Sequence, residues 1–289
     1  MKNRYINAAF SLAVMAILST SCVISLNKKA LTEEISKFNK IVVPSGIIAE
    51  KDTSVADFQA LSLSGPLEVT YIQSDDQFSV KVSCSDNILP YVVISQEPQS
   101  CKLSVSVKEG IVHTDGIKVT VRSSSLDNLA ASGAVDFVSS LVTSEGDLNV
   151  SLKGSSDVSI KSVVSKSMSL VVAGSADLEL EKIVTGDFKL AIAGSGSADI
   201  GKFKGDNVDL SIAGSGDVEM CLEAQSLKGN IAGSGSLELT GILYGQAEYS
   251  IAGSGDVKAK DLKCPKTSYK TRGGSIIYQD GNGQIVRED

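Results

Sequence analysis

Residues 210–218 read Leu210-Ser211-Ile212-Ala213-Gly214-Ser215-Gly216-Asp217-Val218, and this stretch is one of seven variants that occur between about residue 129 and residue 259. Their central glycines lie 21, 20, 20, 20, 19 and 20 residues apart, at Gly133, Gly154, Gly174, Gly194, Gly214, Gly233 and Gly253. A fixed period near 20 residues indicates a stack of equivalent structural units, and it outweighs any local motif as evidence for the fold.

Each repeat has the same internal plan. Apolar and polar residues alternate before the glycine, as in Phe188-Lys189-Leu190-Ala191-Ile192, and again after a glycine, as in Leu178-Glu179-Leu180. Alternation at a period of two is typical of a strand with one face buried and the other in water. The glycine-rich segment between the strands predicts a sharp corner, because glycine adopts backbone conformations that a Cβ resists. We interpret six of these glycines as structural corner positions: Gly154, Gly174, Gly194, Gly214, Gly233 and Gly253.

Stacked repeats can bury an apolar face that a single repeat cannot bury. Equivalent strands would pair roughly 4.8 Å apart, so that inward side chains form ladders. One ladder is Val150, Leu170, Leu190 and Leu210, and the next is Leu152, Val172, Ile192 and Ile212. We therefore predict an all-β fold, a β-solenoid in the form of a single-chain β-helix with coils of about 20 residues. A sandwich built from a meander of antiparallel hairpins is the alternative, which the constant register disfavours.

The sequence divides into four parts on this interpretation. Residues 1–21 are predicted to be a lipoprotein signal peptide, and residues 22–39 a polar tether. Residues 40–128 contain alternating strands without the strict period, which predicts irregular N-terminal β coils and a cap. Residues 129–289 are predicted to form the regular Gly-Ser-Gly-Asp solenoid, ending in a C-terminal cap that covers the unpaired groups of the last coil.

The N-terminus has the pattern of an export signal. Lys2 and Arg4 precede an apolar segment, Ala8 to Leu18, that is too short to span a bilayer. Ser21 stands directly before Cys22, as in a bacterial lipobox, although Leu18 lies one position further from the cysteine than usual. We predict lipid attachment at Cys22 and therefore contact with the membrane. An ordinary signal peptide cleaved near Ser21 is the alternative. The predicted location is the envelope of a Gram-negative bacterium, anchored to the outer membrane on a face that the sequence does not define.

Composition argues against several classes of function. The net charge is −7 and the isoelectric point about 4.9, which disfavours nucleic acid as a partner because its phosphates would be repelled. Tryptophan is absent and His113 is the only histidine, so a serine nucleophile would lack the usual base. Gly-Ser-Gly is a poor phosphate cradle, because a strand rather than a helix follows it. We predict no cofactor and no catalytic residue.

Four cysteines follow Cys22: Cys84, Cys101, Cys221 and Cys264. An oxidising envelope compartment permits disulfides. Cys84 ends one predicted strand and Cys101 begins another, so we consider a bridge between them if the strands are neighbours. Cys221 and Cys264 occupy unequal places in their repeats, which disfavours that pairing. None of the spacings is typical of zinc.

Aspartates that follow the corners would be stacked by the same period. Asp157, Asp177, Asp217 and Asp256 could form a weak cation ladder, and Asp199 is displaced from it by the insertion of Ser197. One carboxylate per 20 residues is sparse for calcium, and Ser236 interrupts the column. The interpretation that we prefer is that each aspartate accepts hydrogen bonds from its own turn and stays solvated, with no metal bound.

These residues carry a resemblance to a known family. Its opening is similar to Asp57-Phe58 with Leu61 to Val69 and Gln73, and Asn87-Ile88-Leu89 and Leu129 to Gly133 continue it. With the Gly-Ser-Gly-Asp turns, the sequence from about residue 41 to residue 275 resembles the head GIN domain family of putative auto-transporter adhesins. The resemblance implies an all-β, helix-like fold and a cell-surface or periplasmic location. It brings no identified binding residues.

Three functions remain open at this stage. The first is a non-catalytic, lipid-anchored adhesin that presents a rigid surface to a glycan, a protein or a second copy of itself. The second is a polysaccharide-active enzyme on a β-helix, which would need clustered carboxylates in a cleft. The third is a purely structural envelope module. The outward positions are mostly Ser, Lys, Glu and Ala, without an aromatic group or a catalytic cluster, which favours the first and third functions over the second.

Overall fold

The computed structural model describes residues 40–97, 99, 101–108, 111–112, 116–279 and 282–288. The predicted signal peptide, Cys22, the tether 22–39 and His113 lie outside these residues. The chain divides into two compact units, Met1–Ile41 and Val42–Asp289. Strand β1 (Lys40–Ile41) is the described part of the first unit, and everything that follows belongs to the second.

The described residues of the second unit form almost only strands, with one 3-10 turn at Leu89–Tyr91. In chain order its strands are β2 (Ile48–Ser54), β3 (Ala60–Gln73), β4 (Ser79–Ser85), β5 (Val92–Glu97), β6 (Lys102–Val107), β7 (Ile111–Val112), β8 (Ile117–Ser123), β9 (Asn128–Ser139), β10 (Val142–Thr143), β11 (Asp147–Gly154), β12 (Asp157–Ile160), β13 (Val163–Val164), β14 (Ser167–Gly174), β15 (Asp177–Val184), β16 (Asp187–Gly194), β17 (Ser197–Lys204), β18 (Asn207–Gly214), β19 (Asp217–Gly233), β20 (Ser236–Gly253), β21 (Asp256–Lys263), β22 (Lys266–Arg272), β23 (Ser275–Gln279) and β24 (Ile285–Glu288).

Equivalent strands of successive repeats pair in parallel and in register, which confirms the predicted β-solenoid with coils of about 20 residues. Leu170 of β14 pairs with Leu190 of β16, and Leu190 pairs with Leu210 of β18. Because neighbouring repeats run in the same direction, the antiparallel meander is excluded. Each coil is identified by its corner glycine. Its A segment is the extended run of residues that ends at that glycine, and its B segment is the extended run that begins after the corner. Strands β19 and β20 each contain the B segment of one coil and the A segment of the next.

The corner glycines form one continuous column along the solenoid. All nine have positive φ, between 87° and 140°: Gly65, Gly133, Gly154, Gly174, Gly194, Gly214, Gly233, Gly253 and Gly273. A Cβ on Gly214 would lie 2.2 Å from the carbonyl oxygen of Gly194, one coil below. The N–H of Ser215, next in the chain, donates to that same carbonyl at 2.9 Å. Glycine is therefore required both by the backbone conformation and by the closeness of the next coil.

The interior is filled by the inward ladders. Leu170, Leu190 and Leu210 are at most 1% exposed, and Phe188 contacts Phe203 with ring centroids 5.3 Å apart. Burial of an aliphatic side chain contributes about 1.5–3 kcal/mol relative to leaving it in water. Several such residues per coil offset the conformational entropy lost on ordering a short coil.

The N-terminal coils are not stacked in the order of the sequence. Strand β3 pairs in parallel with β9 on one side and with β6 and β8 on the other. Along the sequence, the chain therefore passes through β3, then through the coil beneath it, and then through β9 on the upper side of β3. Below that lowest coil, β5 is antiparallel to β6, β4 is antiparallel to β8, and β2 is antiparallel to β4. These antiparallel strands close the lower end of the stack.

At the upper end, β22 and β23 form the last coil, and β24 is antiparallel to β23. Tyr269 and Tyr278 lie over the end of the core with their ring centroids 5.8 Å apart. Among the described residues, no helix is long and apolar enough to cross a membrane.

The structure contains no disulfide between Cys84 and Cys101, so that prediction is corrected. It assumed that the strands beside the two cysteines are neighbours. Strand β4, which contains Cys84, pairs with β2 and β8, whereas β6, which follows Cys101, pairs with β3 and β5. Cys84 is buried, and Cys101 is exposed in a turn with a φ of 47°.

Candidate functional site

Two outward surfaces of the solenoid carry polar side chains in regular columns. The A face consists of the outward side chains of the A segments, and the B face of those of the B segments. On each face one residue position forms a column, because successive coils are in register. Inward residues alternate with these columns, so the B segment Asp177-Leu178-Glu179-Leu180 contributes its two carboxylates to the surface and its two leucines to the core.

The first column of the B face follows the corner by three residues in the coils of Gly65 to Gly253, and by two residues in the last coil. Above Lys118 of the lowest coil, it contains from bottom to top Glu68, Asp136, Asp157, Asp177, Ser197, Asp217, Ser236, Asp256 and Ser275. Asp157 and Asp177 occupy equivalent positions because Val158, next in the chain, pairs with Leu178. The sequence places the four predicted ladder aspartates in this column, as the period implied, but serines separate the upper ones.

Those serines bind the aspartates of the coil below. The hydroxyl of Ser197 donates to Oδ1 of Asp177 at 2.7 Å, that of Ser236 donates to Asp217 at 2.6 Å, and that of Ser275 donates to Asp256 at 2.7 Å. In each pair the backbone N–H of the serine donates to the same oxygen. The aspartates therefore accept hydrogen bonds from the next coil and not from their own turn, which corrects the interpretation made from the sequence.

The lower part of the column has carboxylates without intervening serines. Asp136 pairs in register with Asp157 above it and with Glu68 below it. Partial burial raises the pKa of Asp136, and the charges of Asp157 and Glu68 raise it further. The described residues include no group of three or more His, Cys, Asp or Glu that could hold a metal ion. The four aspartates of the proposed cation ladder are therefore not gathered around one point.

A shallow groove of about 400 Å³ runs along this part of the B face. Its outward lining includes Asp136, Asp157, Asp177, Glu179 and Asp199. Asp199 belongs to the second column, because the inserted Ser197 takes the place of the aspartate in the first. These carboxylates all project from one surface in the same direction. Glycoside hydrolysis needs two carboxyl groups on either side of the bond that is cleaved, whereas these carboxylates line one surface.

Sequence reasoning missed Glu68, Asp136 and the serine partners. The sequence period did indicate the serines, because adding one period to Asp177 gives Ser197. What hid Glu68 was the return of the chain, which places it 68 residues before its neighbour Asp136.

The A face has a different character. A groove of about 360 Å³ on it is lined by outward residues that include Asp187, Lys189, Asn207, Asp209 and Lys228. Side chains in its first column are joined from coil to coil: Asn207 donates to Asp187 at 2.8 Å, and Ser226 donates to Asn207 at 2.7 Å. Nearest the corner the column contains only small residues over five coils: Ala173, Ala193, Ala213, Ala232 and Ala252. This face is therefore flat beside the corner and charged farther from it.

The chain is similar to known proteins in both sequence and fold. A family model described as "Putative auto-transporter adhesin, head GIN domain" matches residues 57–242 and again residues 189–285. No curated protein matches the chain. A crystal structure of a putative adhesin from Parabacteroides merdae is similar with a TM-score of 0.73 and 24% identity, over 82% of this chain and 98% of that one.

Two structures from Parabacteroides distasonis are similar over 82% of this chain. One is described as a putative adhesin, with a TM-score of 0.70 and 26% identity over 99% of its own chain. The other is described as a putative lipid binding protein, with a TM-score of 0.66 and 22% identity over 98% of its own chain. At these identities the likenesses support the fold.

Proposed function

This chain belongs to the head GIN domain family of putative auto-transporter adhesins, and on that premise we propose that it is a non-catalytic adhesin of the cell envelope. A lipid on Cys22 holds it to the membrane, and the solenoid presents its B face to a glycan or a protein. The observation that carries the proposal is the carboxylate-lined groove of the B face, on a scaffold that the stacked coils hold rigid.

The charge of that groove defines the chemistry of the partner. Asp157, Glu179 and Asp199 offer hydrogen-bond acceptors without a compensating cation in the lining. Carboxylates of this kind accept hydrogen bonds from the hydroxyls of a neutral glycan or from the basic side chains of a protein. An acidic polysaccharide would be repelled. The partner is therefore a neutral glycan or a basic protein surface.

Lipid in this proposal is the covalent anchor only. One similar structure is described as a putative lipid binding protein, but the interior of this solenoid is occupied by its own side chains, among them Leu190 and Phe188 at 1% exposure or less. The anchor rests on the lipobox-like Ser21-Cys22, and the absence of an acidic residue in Val23-Ile24-Ser25 favours the outer membrane.

A direct test uses the fragment 23–289, which contains the whole compact unit Val42–Asp289, on glycan arrays and on whole cells. We expect binding that is reduced at least about 10-fold when Asp157, Glu179 and Asp199 are replaced by their amides, since charge-assisted hydrogen bonds are lost. The matched control replaces Asp52, Asp75 and Glu145, three exposed carboxylates outside both faces, in the same way. Absence of binding to every array and cell would favour a structural module, and turnover of a polysaccharide would favour the enzyme.

A further inference from the structure

The second column of the A face has an order of charges that the adhesin proposal does not use. Lys189, Asp209, Lys228 and Glu248 stand in register on four successive coils. Lys189, Lys228 and Glu248 are exposed, and Asp209 is half-buried. The ion pairs within the described part of the chain are Lys81–Glu50, Lys204–Glu223 and Lys258–Glu238, so none of the four takes part in one.

The rest of the A face allows another flat surface to come close. Next to the charged column stand Val171, Ala191, Ser211, Asn230 and Ser250, and then the five alanines. Val171 is 44% exposed, although it is a large apolar residue. No long side chain projects from these two columns between the Gly174 coil and the Gly253 coil. A partner that is equally flat could therefore approach to the distance typical of packed sheets, roughly 10 Å.

We propose that the A face is the interface of a symmetric homodimer whose two solenoids run in opposite directions. The two-fold axis lies in the interface, parallel to the strands, between the Gly214 coil and the Gly233 coil. This operation places Asp209 opposite Lys228 of the second copy, and Lys189 opposite Glu248 of the second copy. Because the interface is isologous, each pair occurs twice, which gives four ion pairs from one column.

The other columns of the face are compatible with this arrangement. Asp187 comes to lie opposite Gln246, Ala213 opposite Ala232, and Val171 opposite Lys270 of the second copy. At none of the equivalent positions between the Gly174 coil and the Gly273 coil does the arrangement bring two like charges together. Complementary charge with no opposed like charges is what a specific protein interface requires.

The same column also selects one register. Moving the axis by one coil in either direction leaves only one ion pair, which the symmetry repeats. Each remaining charged residue of the column then faces an uncharged residue or no residue of the second copy. Solenoids that run in the same direction, with the two-fold axis at the centre of the A face, would place Lys189 opposite Ala191 and form no ion pair from this column. The order of charges therefore favours a single antiparallel arrangement.

The area of the face is sufficient for a stable contact. Strands of eight residues, such as Asn207–Gly214, and six coils give a patch of roughly 25 by 29 Å at the usual strand dimensions. Two such patches bury roughly 1,400 Å², which is within the range of specific interfaces. The B face remains outside this contact, so dimerisation and adhesion can be tested separately.

The test is sedimentation equilibrium of the fragment 23–289 over a range of concentrations, with thermal melting monitored by circular dichroism to verify folding. We expect a dimer that weakens as salt is added, since the ion pairs are screened. Lys228→Glu should weaken it at least about 10-fold, because two like-charge contacts with Asp209 replace two ion pairs. The control Glu219→Lys, which inverts a charge on the B face, should leave the dimer unchanged.

The decisive variant combines Asp209→Lys with Lys228→Asp. It exchanges the charges and recreates the intermolecular pairs, so it should restore the dimer that Lys228→Glu disrupts. A chain that stays monomeric at every concentration would overturn the proposal. So would a dimer that is indifferent to Lys228→Glu, or one that the double exchange fails to restore while the fold is intact.

Discussion

At the scale of single residues, the corner glycines are the positions with the least freedom to change. Gly214 has a φ of +136°, and a Cβ there would lie 2.2 Å from the carbonyl oxygen of Gly194. A substitution must therefore overcome both an unfavourable backbone conformation and a collision with rigid backbone. A collision with the end of a flexible side chain would be far less costly.

Gly214→Ala is accordingly expected to lower the free energy of unfolding by about 2–4 kcal/mol. Gly146→Ala is the matched control, because an added Cβ at that position meets no atom within 4 Å. The control should change the free energy of unfolding by no more than about 0.5 kcal/mol. Denaturant unfolding of the two variants measures the difference, and equal losses would show that the corner is not the constraint.

Two buried tyrosines differ in whether their hydroxyl has a partner. The hydroxyl of Tyr71 lies 2.9 Å from that of Ser123, whereas the hydroxyl of Tyr249 has no hydrogen-bond partner among the described residues. Burial, the largest cause in both residues, raises the pKa of Tyr71 to about 12 and also raises the pKa of Tyr249.

Tyr71→Phe should cost about 1 kcal/mol of stability, because it removes the hydrogen bond to Ser123. Tyr249→Phe should be neutral or stabilising, because it removes a polar group that is buried without a partner. Thermal melts of both variants test the contrast, which a loss of stability in Tyr249→Phe would contradict.

The raised pKa of Asp136 has a defined consequence for stability. Because the folded state binds the proton of the Asp136 carboxyl more tightly than the unfolded state does, protonated Asp136 contributes favourably to the free energy of unfolding at low pH. This contribution is lost as the pH rises through the folded-state pKa. Asp136→Asn should therefore stabilise the protein at neutral pH, by less than about 1 kcal/mol because the carboxyl is largely exposed. The gain should fall toward zero as the pH drops below the usual carboxyl range. Unfolding measured across pH tests this, and a gain that is the same at all pH values would contradict the stated cause.

Asp217→Asn is the control for this prediction. It should destabilise the protein, because Asp217 accepts two hydrogen bonds from Ser236.

At the scale of elements, the period made the strands and their register predictable. Leu170, Leu190 and Leu210 could be aligned from the sequence because each strand pairs with the one about 20 residues along the chain. The N-terminal coils escaped prediction for the same reason. Strand β3 pairs with β6 and β8 at separations of 42 and 50 residues, as Leu61 with Leu103 and Leu67 with Ile117 show. No sequence period indicates such a return of the chain, and the false inference about Cys84 and Cys101 came from the same region.

The candidate site was predictable in position but not in its contacts. The period placed Asp157, Asp177, Asp217 and Asp256 in one column, as the structure does. Which atoms satisfy each carboxylate depends on side-chain directions across the gap between coils. Ser197 illustrates this: in the sequence it resembles an insertion that disturbs the column, whereas in the structure it is the hydrogen-bond donor to Asp177.

At the scale of the whole molecule, a solenoid must protect the strand edges at its two ends. The lower end is covered by antiparallel strands, of which β2 is the outermost. At the upper end β24 pairs with β23, and Glu288 accepts a hydrogen bond from the hydroxyl of Tyr269, which raises the pKa of that tyrosine. The short C-terminal strand therefore closes one edge of the last coil and fixes a side chain over the core.

Removal of residues 281–289 should expose the edge of β23 while leaving the ladders below it intact. We expect the truncated chain to aggregate, because Ser275–Gln279 would then present unpaired backbone groups beside Ile277 and Tyr278. Light scattering of the two chains at equal concentration measures this. Ile277→Lys in the truncated chain is the matched test of mechanism, since a charge on an open edge prevents pairing with another chain. If that substitution restores solubility, the loss came from the exposed edge. Aggregation that continues unchanged would mean that β24 supports the core itself rather than guarding the edge.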